Sequence, residues 1–567
     1  MRIDLLPRLR ETFLFVLISA TVLAFTLLFI KEIYVIQVED HKIYQNSIQS
    51  YRVETDTLYA VRGSILDRNS KPIAMTLNSY ELGIHPEQVV GVVDELSGLL
   101  KNFVSKDHQE IYDLLVSDKK FVWIDRNLTP DAAEFLQNIL KGYPGWEISR
   151  NFQRSNLIDQ TSHFIGAVDI DGVGVEGIEL IFNDDLKGVN GSRTYEAAQN
   201  GVRIPQGEIN KIDPRHGKDL LLTIDSDLQF EASNQCKIAV EETGAERCSI
   251  VLMNADNGEI YALVEEGNSR ILDMNLISVR GQYEPGSSLK IFTIGSVLES
   301  NKTNIDAVFS IPYKISKMEN SCEDWYEGDK GCFKDFLPHD EEILSVKKII
   351  ERSSNVGAIK IVDMSNIKEV EEFLVKFGFS SKTGIEVPGE IKGNIQPNKT
   401  CSTCLASLAI GYSINVTQLQ MVKAYAIIAN GGLDVIPTLI KNTVIEGNVE
   451  KRVVTSELAE ELKMLLINVV NGEDGTARII RKDGLVLGGK TGTSKSYIED
   501  QKYSEKKYNT SFTGFFETEN SLIVGSVILW HAKTSQHSEY VTGASTAAPI
   551  FGNLVDSIVK SNILERK

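Results

Sequence analysis

At 567 residues the chain exceeds what a single hydrophobic core organises, and roughly two to four domains are expected. Its 42% hydrophobic and 24% charged residues are ordinary for globular protein and exclude a disordered polymer. A formal charge of -19 is the opposite of a basic nucleic-acid footprint, so no nucleic-acid partner is expected and the acidity reads as solubility.

Phe13 to Ile30 carries no charge and, at about 18 residues, is near the minimum for a membrane-spanning helix. Arg2, Arg8 and Arg10 precede it, while Lys31, Glu32, Glu39 and Asp40 follow. The positive-inside rule makes residues 1–12 a short cytoplasmic tail and 13–30 the anchor, with the rest of the chain outside. A cleaved signal peptide would end in a small-x-small site, which Leu27-Leu28-Phe29-Ile30-Lys31 does not offer. Residues 34–51 read as a helical stalk. Val61 to Ala74 reads as a strand entering a turn, with its Arg and Asp charges able to pair with each other as scaffold. From Val89 to Leu140 the apolar spacing (Leu96, Leu99, Leu100, Phe103, then Ile111, Leu114, Leu115) predicts helix. Gly172-x-Gly174-x-x-Gly177 has dinucleotide-loop spacing, but acidic neighbours would repel an anion and the strand-loop-helix context is missing. Asp213 to Lys218 marks a boundary, dividing a non-catalytic domain at 31–217 from a second domain at 218–567.

The second domain opens with a strand at Leu220–Ile224 and a helix from Asp225 to Val240. Ile250–Asn254 and Glu259–Val264 flank an Asn257-Gly258 turn, a strong hairpin signal. Next comes Glu284-Pro285-Gly286-Ser287-Ser288-Leu289-Lys290, running into the apolar Ile291 to Leu298. Pro and Gly mark a turn before a helix, so Ser287 starts that helix with Lys290 one turn on and on the same side. An amine there can serve as base for a serine nucleophile. The spacing alone is weak, because it recurs at Ser117/Lys120, Ser345/Lys348, Ser365/Lys368, Ser504/Lys507 and Ser557/Lys560. Helix boundaries fall near Ile349–Gly357, a core helix lies between Leu405 and Gly432, and strands follow at Leu485–Ser494, Phe512–Phe516 and Leu522–Leu529. Thr542 to Lys560 closes the chain as an apolar helix.

All six cysteines lie beyond the anchor, where disulfides are permitted. Cys322 and Cys332 are the first pair expected. Cys401-x-x-Cys404 could be redox-active, or bind zinc with Cys322, Cys332 or His339, but two ordinary cysteines near a buried helix is the preferred reading.

Ser287-x-x-Lys290, Ser353-x-Asn355 and Lys490-Thr491-Gly492 stand in the order of the serine penicillin-recognising enzymes. Decoys exist for the last two at Ser413-x-Asn415 and Lys382-Thr383-Gly384, so it is the ordered set that carries weight. With EPGSSLK, SSNVG, GKTGTS, RGSILDRN, DIDGVGVEGIE, LLLTID and IANGG, the chain resembles class B penicillin-binding proteins over nearly its whole length after the anchor. Ser288-Leu289 replaces the usual pair between Ser and Lys, prolines are missing at Arg150–Gln153 and after Phe516, and the insert around Cys322 to His339 is unexpected.

The resemblance implies an α+β chain: a penicillin-binding, serine β-lactamase-like transpeptidase domain with antiparallel sheet and helices. An elongated β-rich pedestal and one transmembrane helix would precede it, in the cytoplasmic membrane. It implies a peptidoglycan D,D-transpeptidase, closer to the division than the elongation branch, that binds β-lactams. The implied partners are stem peptides, a glycan polymerase and other division proteins, and no cofactor or metal is called for. Ser287 would be the nucleophile and Lys290 a base made neutral by burial and by the charge of Lys490. Ser353 would relay a proton, Asn355 hold the substrate backbone, and Lys490, Thr491, Gly492 and Thr493 form a carboxylate-binding strand edge. Backbone N–H groups of Ser287 and Thr493 would make the oxyanion hole. The alternatives are a carboxypeptidase or β-lactamase-type hydrolase, which needs a deacylation base that is not evident, and a non-catalytic scaffold or sensor.

Overall fold

A computed structural model describes residues 5–41, 53–197, 203–267, 276–318, 322, 331–395, 401–441, 451–498, 502–533 and 541–561. The chain divides into two compact units, Met1–Val61 with Gly188–Gly217 and Arg62–Lys187 with Lys218–Lys567.

The first unit begins with the helix Leu5–Tyr34, whose apolar side chains from Phe13 to Ile30 are exposed. Within residues 10–39 an 18-residue window averages a hydropathy of 2.7, and the helix is long and apolar enough for a single-pass membrane anchor. The same unit holds a three-stranded antiparallel sheet in the order Val53–Leu58, Gly191–Ala197, Arg203–Ile212. Its register runs from Val53 opposite Glu196 to Leu58 opposite Gly191. Gly191 is required there, since a Cβ would lie 2.1 Å from the Ile212 carbonyl.

In the second unit, the strand Pro72–Ile84 pairs along its length with Trp146–Asn156 and, towards its end, with Val122–Leu128. The strand Ile65–Leu66 joins its start and pairs in parallel with Leu220–Leu221. The expected all-helical stretch is therefore interrupted. Helices Val93–Leu100, His108–Leu115 and Pro130–Ile139 do form, but Val122–Leu128 is drawn into the sheet by a distant partner. These helices cover the sheet with a core of its own, including Leu82, Leu96, Leu100, Ile111, Ile124 and Leu136. His108–Leu115 is fixed by a capping box between Asp107 and Glu110.

The glycine-rich block has a different job from phosphate binding. Glu179, buried, accepts from Arg62 at 2.6 Å and from Arg154 at 2.6 Å, and Arg62 also reaches Gly172 O and Asn183 Oδ1. A Cβ at Gly174 would lie 1.8 Å from Glu179 O, so its glycine lets the chain pack against the backbone of the residue whose carboxylate holds the two arginines. Arg62 thus pairs with Glu179 and not with its neighbour Asp67, which instead accepts from Ser226 Oγ at 2.7 Å.

The C-terminal part of this unit is built on a five-stranded antiparallel sheet, ordered Ile260–Glu266, Arg247–Asn254, Leu522–Lys533, Lys502–Glu517, Leu487–Ile498. Strand alternation splits its faces. Phe512 and Phe516 point to Phe551 on the closing helix Ala547–Ser561, which packs with Ser226–Thr243. Phe515 points the other way, under Lys463 of the helix Ser456–Asn471. On that second face lie the core helices Gln418–Ala429 and Lys290–Glu299, linked by edge-on packing of Phe292 against Tyr425. Disulfides join Cys236 to Cys248, Cys322 to Cys332 and Cys401 to Cys404. The Cys322–Cys332 pair is the one expected. Cys401 and Cys404 are bonded to each other, which displaces the zinc option. Most of the loop between Cys322 and Cys332 lies outside the described residues.

Candidate active site

The Ser287 turn is shaped by its neighbours. Gly286 to Leu289 forms a tight 3-10 turn that feeds directly into the helix Lys290–Glu299. Gly286 has φ +54°, and a Cβ on it would sit 2.7 Å from Thr493 O on the edge strand of the sheet. Behind it, the Gly286 N–H donates to Gly411 O at 3.1 Å, and Gly411 at φ +86° leaves no room for a Cβ, which would meet Gly286 O at 1.9 Å. Ser288 Oγ donates back to Pro285 O, and Tyr425 OH donates to Ser288 O at 2.8 Å. Ser287 itself is half-buried at this fixed turn.

Opposite stands Ser353, between the helices Val346–Arg352 and Asn355–Val362. It adopts left-handed backbone, φ +61°, a conformation costing a non-glycine residue roughly 1 to 2 kcal/mol. That conformation presents its carbonyl and hydroxyl to the same amine. Lys290 Nζ donates to Ser353 O at 2.6 Å, to Asn355 Oδ1 at 2.7 Å and to Ser353 Oγ at 3.3 Å. From the edge strand, Lys490 Nζ donates to Ser353 Oγ at 2.9 Å and to Thr491 O and Oγ1 at 3.1 and 3.3 Å. Both lysines are 0% exposed, and they converge on one hydroxyl. With its lone pairs engaged by two amines, Ser353 keeps its O–H proton free to give elsewhere.

Burial pushes Lys290 down from 10.5 to about 7, against an opposing pull from the Asp335 carboxylate. Burial also holds Lys490 well below its ordinary value, and the charge of Lys290 adds to that. The expectation that Lys490 is a main cause of the neutrality of Lys290 is thus revised. Desolvation dominates for both, and the repulsion between the amines shows on Lys490.

The structure brings Ser353, Asn355, Lys290, Lys490 and Thr491 into one hydrogen-bonded group. Thr491 Oγ1 extends the strand edge by donating to Thr476 Oγ1 at 3.1 Å, and Thr493 Oγ1 accepts from the Gly543 N–H at 3.0 Å. Gly492 fits between Ser511 Oγ and Pro285 O, where a Cβ would come within 2.4 and 2.8 Å. Thr493 pairs with Thr510 on the edge strand facing the Ser287 turn. The decoys serve structural ends. Ser345 and Ser504 accept from the N–H groups of Lys348 and Lys507, Ser413 donates its N–H to Glu284, and Thr383 and Gly384 wrap Glu390.

Sequence reasoning missed Asp335. It follows the strand Cys332–Lys334 in the unexpected insert, and no spacing or motif pointed to it.

Residues 248–556 match the family of the penicillin-binding protein transpeptidase domain, and residues 57–222 match the penicillin-binding protein dimerisation domain. Among curated proteins, the penicillin-binding protein PbpB of Mycolicibacterium smegmatis is 26% identical, the alignment covering 89% of this chain and 84% of that one. The peptidoglycan D,D-transpeptidase FtsI of Buchnera aphidicola is 25% identical over 96% and 94%. Among solved structures, the penicillin-binding protein PBP2 in complex with MreC from Helicobacter pylori has a TM-score of 0.70 at 20% identity. It covers 90% of this chain and 99% of its own, a likeness of fold.

Proposed function

The chain belongs to the penicillin-binding protein transpeptidase family, and from that premise we propose that it is a membrane-anchored peptidoglycan D,D-transpeptidase working through a serine acyl-enzyme in septal wall synthesis. The observation that carries the reading is the pair of buried lysines sharing Ser353 Oγ beside the Ser287 turn.

In this reading Lys290, held near neutrality at physiological pH, takes the Ser287 proton as Oγ attacks the penultimate D-Ala carbonyl of a stem peptide. The backbone N–H groups of Ser287 and Thr493 receive the developing oxyanion. As the C–N bond breaks, the proton returns from Lys290 through Ser353 to the leaving D-Ala amine, so Lys290 is neutral again. An amine of a second stem peptide then attacks the Ser287 ester, forms the cross-link and frees the serine. Lys490, Thr491, Gly492 and Thr493 bind the terminal carboxylate along the strand edge, and Asn355 holds the peptide backbone. A β-lactam enters the same path and stays as the acyl-enzyme.

The positive-inside flanks of the helix Leu5–Tyr34 support an orientation with the N-terminus in the cytoplasm and the catalytic half outside the cytoplasmic membrane. The glycan strands come from a polymerase partner. The solved PBP2–MreC complex of a relative in fold supports a binding role for other cell-wall proteins. The test is covalent labelling of the full chain by a fluorescent penicillin. A stable label lost in Ser287→Ala is expected. A folded protein that takes no label would overturn the enzyme reading, and rapid release of the label would turn it into a hydrolase.

A further inference from the structure

Asp335 sits 8% exposed at the end of the disulfide-closed hairpin formed by Lys314–Ser316 and Cys332–Lys334. Its carboxylate faces the start of the helix Asn355–Val362. Oδ1 accepts from the N–H groups of Asn355 and Val356, at 2.5 and 3.0 Å. Oδ2 accepts from Ser354 Oγ at 2.8 Å and from His339 Nε2 at 3.1 Å. The preceding residue adds a further tie, since Asn355 Nδ2 donates to Lys334 O at 2.9 Å. The hairpin end therefore grips Ser354, Asn355 and Val356, the outgoing side of the Ser353–Asn355 turn. That turn is held in left-handed backbone, which persists only where its surroundings determine it.

We propose that Asp335 is a positioning residue of the transpeptidase site: it locks the Ser353–Asn355 turn against Lys290 and, through its charge, sets the pH at which Lys290 becomes a competent base. This rests on the transpeptidase reading given above. A carboxylate close to an amine favours the ammonium form, and Asp335 is the group that works against the burial of Lys290. Other charges on the packed helices are engaged elsewhere: Glu351 with Lys348, Arg352 with Glu342, Lys463 with Glu517, Lys376 with Glu299. Asp335 is the charged group whose field is felt at Lys290, and Lys290 the one felt at Lys490. On the far side of Asp335, both ring nitrogens of His339 meet acceptors, Asp335 Oδ2 and Asp340 O, and the ring can donate to both only as an imidazolium. Burial opposes that charge, but the Asp340 carbonyl and Asp335 carboxylate raise its pKa, with Glu342 adding to the same effect. His339 thus partly offsets Asp335 in acid.

Asparagine at 335 removes the charge and can still accept the Asn355 and Val356 N–H groups through its amide oxygen, while its NH2 turns the contacts to Ser354 and His339 into donations; alanine removes every one of these contacts. The experiment is the rate of acylation by a fluorescent penicillin from pH 5 to 9, on the full chain in detergent, for wild type, Asp335→Asn and Asp335→Ala, with Ser287→Ala as control. Asp335→Asn is expected to move the acid limb down by about one pH unit, because a less stabilised ammonium loses its proton earlier. Its plateau should stay within about tenfold of wild type, with the turn still held. Asp335→Ala should lose about 100-fold at the plateau, the scale of a small misplacement of catalytic groups. Should Asp335→Ala fail to fold by thermal melting, the acid limb of Asp335→Asn decides alone. An acid limb unmoved in Asp335→Asn, with wild type labelled at Ser287, overturns this role alone. A folded wild type that takes no Ser287-dependent label overturns the transpeptidase reading and this role with it.

Discussion

Replacing Lys290 with methionine tests the central claim by a route that does not pass through activity. The amine is 0% exposed, and burial lowers its pKa from 10.5 to about 7. A fall of roughly 3.5 units is, at 1.36 kcal/mol each, an electrostatic cost on the order of 5 kcal/mol to the folded state at pH 7 and below. The hydrogen bonds to Ser353 O and Asn355 Oδ1 belong to either protonation state and offset part of it in both. Between pH 7 and 10.5 the unfolded chain keeps a proton that the folded chain has released. Raising the pH through that window therefore stabilises wild type by about 1.4 kcal/mol per unit relative to Lys290→Met. Below pH 7 both states hold the proton and the full penalty remains. Relief of Lys490, which no longer faces a second amine in the variant, changes the slope in the same sense. Denaturant unfolding of both proteins at pH 7, 8 and 9 reads the difference directly. A stability gap that stays constant across these three values would refute a depressed Lys290, whatever the variant does to catalysis.

Gly411→Ala should cut acylation about 100-fold without touching a reacting group, because its Cβ would overlap Gly286 O and displace the Ser287 turn; near wild-type labelling would show that the turn does not depend on this contact. Glu179→Ala should destabilise the chain by about 3 to 5 kcal/mol, since it leaves Arg62 and Arg154 buried without their carboxylate. Thermal or denaturant unfolding checks it, and an unchanged transition would mean that the arginines find other partners.

What was legible in the sequence follows from what is local. The hairpin at Asn257-Gly258 is set by a turn that few other residues can make, and its strands appear as Arg247–Asn254 and Ile260–Glu266. Ser287 and Lys290 could be read together because one helical turn separates them. Ser353, Asn355 and Lys490 were legible only as motifs in order, and the convergence of Lys290 and Lys490 on the Ser353 hydroxyl comes from packing. Long-range choices were not visible. Val122–Leu128 lies among helical patterns but pairs with Pro72–Ile84, and Arg62 passes over the nearby Asp67 for Glu179, 117 residues away. Asp335 left no signature at all, because an isolated acid near a cysteine looks the same whether it faces water or accepts from the first N–H groups of a helix.

The pairing of distant strands also constrains how the protein can be made. Val53–Leu58 waits for Gly191–Ala197, and the Ser64 N–H meets Asp219 Oδ1 after 155 residues. As the chain emerges from its N-terminus, the segment around Leu96, Ile111 and Leu136 can bury its own core long before those early strands find their neighbours. Closing so long an excursion costs little more than closing a short one, about 0.6 kcal/mol for each doubling of length. The burden is therefore one of timing. A nascent chain halted before residue 191 presents Val53–Leu58 as an unmated edge, the kind of surface that recruits other chains. Premature termination in the first third of this protein thus threatens aggregation at the membrane more than it threatens loss of a single enzyme.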